Sequence, residues 1–186
     1  MKEALKTCAV TASGLLSFGI CVLFAWVLYA GRIPQSIATW GMSAALDTLG
    51  LILVIKDGNK KPFLQLGWAA AGLFVFTAVL LNGNRVGWGL TETISVMFFG
   101  IAVWLWVTQT ARRALWAYMI ARYVAFVPLM VAYWDKPQPD TLWLWLLMVV
   151  ACLLAILGAE KRDFTNTFVP WGAAGMNIFI AVLCLL

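Results

Sequence analysis

Two charges of opposite sign lie deep inside apolar runs of this chain, Asp47 within SAALDTLGL (43–51) and Arg122 within YMIARYVAF (118–126). A carboxylate and a guanidinium so placed can form a salt bridge, or can hold a solute that presents complementary groups. An ionisable side chain at the centre of an apolar helix costs about 2.5–3.5 kcal/mol on insertion scales, so such residues are the first candidates for function. Two more polar residues share the property: Glu92 in GLTETISV (89–96) and Asn177 in AAGMNIFIAVL (173–183). Glu92 can reach a water-filled vestibule or favour the start of its helix through the backbone dipole. Asn177 can line a pocket or make an interhelical hydrogen bond.

Enzyme chemistry finds little to work with. Histidine is absent, which removes the usual near-neutral proton shuttle and the commonest metal ligand. Cys8, Cys21, Cys152 and Cys184 all lie in apolar runs without ligand spacing and read as small buried fillers. There is no phosphate-cradling glycine loop and no nucleophile–base pair at a recognisable spacing. No metal and no cofactor is expected, and the chain is not expected to be an enzyme.

The elements that must position these residues follow from composition. Of 186 residues, 63% are hydrophobic and only 11% charged, against about 25% charged in a soluble domain. With a mean hydropathy of +0.91, the chain reads as an all-α integral membrane protein. The net charge of +5 is scattered and forms no stripe for nucleic acid. A span needs about 20 mostly apolar residues, and seven stretches qualify, at 8–30, 36–55, 63–81, 88–108, 112–133, 141–158 and 167–186. The first could begin as a signal peptide after Lys2 and Lys6. Its length and the large Leu28 at the minus-three position of a cleavage site favour a retained helix.

Positive charge orients the spans. One side collects Lys2, Lys6, Lys56, Lys60, Lys61, Arg112, Arg113, Lys161 and Arg162, and the other only Arg32, Arg85 and Lys136. The N-terminus is therefore expected in the cytoplasm and the C-terminus outside, in the cell (inner) membrane. All eleven tryptophans fall toward span ends rather than centres, as an interfacial belt does. Most are expected to be anchors rather than walls of a pocket. Thr108, Gln109, Thr110, Arg112 and Arg113 read as interfacial residues of the hairpin between spans 4 and 5.

Pro34-Gln35 and Pro137-Gln138 each follow an apolar run, with Trp40 and Trp143 five residues beyond the glutamines. A displacement of 103 residues superimposes them without a gap and lays AAGLFVFTAVL (70–80) on AAGMNIFIAVL (173–183); twelve of the 48 positions from 34 to 81 are identical. The displacement crosses an even number of spans, so both copies enter the membrane in the same direction. Spans 1–3 (8–81) and 5–7 (112–186) then form two parallel three-helix units joined by span 4 (88–108). The runs WAAAGLF (68–74) and WGAAGMN (171–177) bring small residues to equivalent places and favour close helix approach.

This 3+1+3 layout with a Pro-Gln pair in each half resembles the SWEET and PQ-loop superfamily, together with the Pnu-type vitamin transporters. The resemblance implies a transporter, with hinges at Pro34-Gln35 and Pro137-Gln138 and with Pro128 the one proline placed to kink a helix centrally. It also implies that central residues of spans 3 and 7 line the substrate pocket, which would set Phe74 and Asn177 on opposite sides of a solute. The expected function is movement of a small polar solute by alternating access between the two units, at a site drawn from Asp47, Arg122, Asn177, Phe74 and Glu92. A mixed pair of charges suits a zwitterionic or hydrogen-bonding solute. A continuous channel and a non-transporting membrane scaffold or accessory subunit are the alternatives, and a homo-oligomer is left open.

Overall fold

The computed structural model describes residues 2–30, 37–82, 88–159 and 164–186. Seven helices account for almost all of them: α1 (Lys2–Tyr29), α2 (Ile37–Lys56), α3 (Phe63–Asn82), α4 (Leu90–Thr108), α5 (Ala111–Asp135), α6 (Leu142–Gly158) and α7 (Val169–Leu183). Among the described residues six helices are long and apolar enough to cross a membrane; α2, with Asp47 at its centre, completes the set of seven helices.

Each helix coincides with one apolar run, and the departures have local causes. The first helix runs six residues ahead of its apolar run, through Lys2–Thr7. That turn is held from outside: Lys61 Nζ donates to Thr7 Oγ1 at 3.0 Å, and Gly158 lies against the carbonyl of Lys6 and against Val10. At the start of α4, the Gly89 amide donates to Glu92 Oε2 at 3.1 Å, which satisfies one of the free N–H groups at that end. A 3-10 turn, Pro139–Thr141, leads into α6, with the carbonyl of Gln138 accepting from both the amide and the hydroxyl of Thr141 at 2.9 Å. A wide π turn, Phe164–Phe168, leads into α7. Pro170 has no N–H to offer the carbonyl of Asn166, so the regular ladder is broken where the wide turn sits.

The helices pack in an interlocked order. α3 lies between α1 and α2, and α7 stands against both α5 and α6. Across the two groups, α1 packs against α6 and α2 against α5, while α4 rests on α5 and touches α2. Glycines permit the closest approaches. A Cβ on Gly67 would collide with the Gly14 carbonyl of α1, one on Gly50 would lie 2.6 Å from the Tyr118 ring of α5, and one on Gly72 would lie 3.0 Å from Ala44 Cα of α2. The core is one continuous cluster running from Ile20, Phe24 and Leu28 through Leu53, Leu115 and Tyr133 to Ile180.

Candidate functional site

Asp47 and Arg122 point at each other in the middle of this core. The Arg122 Nη1 forms a salt bridge with Asp47 Oδ1, joining α2 to α5, and only 7% and 8% of the two residues is exposed. Nη1 also donates to the Tyr118 hydroxyl at 3.0 Å, one turn back on α5. Gly50, one turn beyond Asp47, makes room for that tyrosine ring. The guanidinium lies over the Trp68 ring, its Cζ 4.4 Å from the centroid, with the Phe126 centroid at 5.7 Å. A desolvated cation over an aromatic face gains about 2 kcal/mol, which offsets part of the cost of burying it.

Beside the pair is a cavity of ≈ 50 Å³, to which every helix except α4 contributes a wall. Its aromatic side is Phe24, Trp40, Trp68, Phe126 and Trp145, with Phe24 5.5 Å from both Trp40 and Trp145. Its polar side is Asp47, Arg122 and Asn177, with Cys21 nearby. Asn177 is buried and donates to the Ala173 carbonyl at 2.8 Å. Three donors in this wall have no acceptor: Arg122 Nε, Trp68 Nε1 and Trp145 Nε1. Leaving a buried donor unsatisfied costs about 1–3 kcal/mol.

Three of the residues singled out in the sequence, Asp47, Arg122 and Asn177, therefore meet at one cavity. Two do not. Phe74 is 54% exposed and stacks edge-on with Phe18, its ring centroid 5.5 Å away, on the outer surface of α3. The wall that α3 supplies is Trp68, Gly72 and Val75, and Phe74 lies about 120° round the helix from Trp68. Glu92 is buried, but its carboxylate serves the first turn of α4, a helix that gives nothing to the cavity.

Of the expected hinges, Pro34 and Gln35 lie outside the described residues. Pro137 is exposed and Gln138 half-buried in the α5–α6 connection, and Pro128 sits within α5, six residues past Arg122. The tryptophans need a correction as well. Trp26, Trp88, Trp104, Trp116, Trp134, Trp143 and Trp171 are exposed, but Trp40, Trp68 and Trp145 are buried in the cavity wall. Position along the sequence gives a ring's depth and not the side of the helix it occupies. The signal that separates Trp145 from Trp143 is the small and apolar stripe of Trp145, Met148, Cys152 and Ala155 on one face of α6.

No protein-family model matches the chain, and no curated protein and no solved structure matches it.

Proposed function

We propose that this chain is a seven-span membrane carrier that moves a small polar solute by alternating access, with the solute held at the cavity beside Asp47 and Arg122. The observation that carries this reading is the buried salt bridge itself. It spans the junction of α1–α3 with α5–α7, opens onto a cavity, and is costly for a merely structural contact. A charge pair between two bodies that rock against each other can break and re-form as the cavity changes side.

The two-unit architecture is part of the proposal, and burial supports it in a register that differs from that of sequence identity. A displacement of 105 residues, not 103, lays Val10 on Leu115, Leu28 on Tyr133, Trp40 on Trp145, Trp68 on Ala173 and Val75 on Ile180, all buried. It also lays Leu15 on Ile120, Ile52 on Leu157 and Phe74 on Phe179, all exposed. At 103 the buried Trp68 falls on the exposed Trp171. Two residues are about 200° of helix rotation, so only one register superimposes the inner faces. In the burial register the counterpart of Asn177 is Gly72, which lines the cavity, rather than Phe74. The reciprocal packing of α1 on α6 and α2 on α5 fits two units about an axis along the membrane normal.

The test is flux through the purified chain in proteoliposomes. Saturable uptake of a labelled solute with counterflow is the expected result. Single-channel currents would point to a pore, and the absence of flux for every solute, with a partner co-purifying stably, would point to a scaffold.

A further inference from the structure

The unsatisfied donors of the cavity say what kind of solute belongs there. Asp47 meets the guanidinium through Nη1, and the Nε edge faces no acceptor. That edge is one of the two at which a carboxylate makes its paired hydrogen bonds with arginine. Trp68 Nε1, on the residue whose ring carries the guanidinium, is a second donor without a partner, and Trp145 Nε1 is a third. A ligand that relieves them must bring acceptor oxygens. The remaining walls are Phe24, Trp40, Phe126 and Met148, which suit an apolar body. The volume of ≈ 50 Å³ is room for on the order of four water-sized groups, so the body is short.

Charge decides the rest. While Asp47 holds Arg122 the site is neutral. The other titratable groups around the guanidinium are Tyr118 and Tyr123 of α5, Cys21 of α1 and Cys152 of α6. The cavity residues of α3 and α7 are Trp68, Gly72, Val75, Met176 and Asn177, none of them titratable. Among the described residues no second cation lines the cavity to balance another anion. Two carboxylates around one guanidinium cannot both stay charged in a low-dielectric site.

We propose, on the carrier reading above, that the solute is a monocarboxylate of two or three carbons carried together with one proton. The solute carboxylate takes the place of Asp47 on Arg122, and Asp47 accepts a proton from the aqueous side that is open. On the other side Asp47 returns that proton to water and re-pairs with Arg122 as the anion leaves. One anion and one proton cross together, and no net charge moves.

The test uses the purified full chain in proteoliposomes with labelled glycolate and lactate. Saturable uptake is expected, accelerated by an inwardly directed proton gradient and indifferent to a potassium–valinomycin membrane potential. Asp47→Asn is expected to lose gradient-driven accumulation of glycolate, and accumulation that still follows the proton gradient in this variant would overturn the proton step. Trp68→Phe keeps the ring beneath the guanidinium and removes one donor; it is expected to raise KM about tenfold, the equivalent of one hydrogen bond, with kcat held. Counterflow of glycine or glycerol without any of glycolate or lactate would overturn this inference and leave the carrier reading standing. Glycolate uptake driven by membrane potential would overturn the proton step. No counterflow of any solute would overturn the carrier reading itself.

Discussion

At the residue scale the decisive feature is that Asp47 and Arg122 are buried against each other as opposite charges. Removing one partner of a buried pair leaves a desolvated charge and costs about 3–5 kcal/mol, whereas replacing both by apolar groups is close to neutral. Asp47→Leu and Arg122→Leu are each expected to lower the thermal midpoint of the detergent-solubilised protein sharply, and the double variant to recover most of the loss. A double variant no more stable than either single one would mean that the pair is not the partner relationship described. The charges were legible in the sequence because their depth alone marks them as costly. Phe74 lies off the cavity for a physical reason: its place at the centre of span 3 sets its depth but not its face, and the packing of α3 turns it outward.

At the element scale, close approach at glycine sets how the helices cross. Without a hydrophobic drive between helices in lipid, small residues that let backbones meet supply much of the packing. Gly67 faces α1 at Gly14 and Ser17, and Gly50 faces Tyr118, whereas Gly100 of α4 has open space around it. Gly67→Leu and Gly50→Leu are therefore expected to destabilise the protein by more than 2 kcal/mol, at the upper end of the overpacking range of about 1–3 kcal/mol. Gly100→Leu is expected to be silent. Thermal melts of the three variants in one detergent check the ranking, and equal melting of Gly67→Leu and the unaltered chain would contradict the α1–α3 crossing. Helix positions were read from the apolar runs to within three residues, apart from the early start of α1, because each run is bounded by charges or by turn residues. The π turn before α7 was not, since nothing in FTNTF (164–168) distinguishes a wide turn from a regular one.

At the scale of the whole molecule, the helix set followed from composition, whereas the cavity wall did not. The belt rule locates Trp40, Trp68 and Trp145 near span ends and is silent on which way they face; only the packed bundle turns them inward. The orientation expected from the charge distribution has its own check. Lys61 and Thr7 are bonded and Gly158 abuts Lys6, so the start of α1, the α2–α3 turn and the end of α6 share the lysine-rich end of the bundle. A C-terminal alkaline phosphatase fusion is expected to be active and a C-terminal green fluorescent protein fusion dark. The reverse pattern would invert the orientation.

The salt bridge is also divided between the proposed halves: the acid comes from α2 and the base from α5. In the burial register Arg122 falls on Ser17 and Asp47 on Cys152, so two copies of the first half would leave the acid facing a serine, and two copies of the second would leave the base facing a cysteine. Neither triplet can therefore serve as its own mate. The single polypeptide guarantees the one-to-one stoichiometry that this complementarity demands, and a gene split at the fourth helix would have to keep both products.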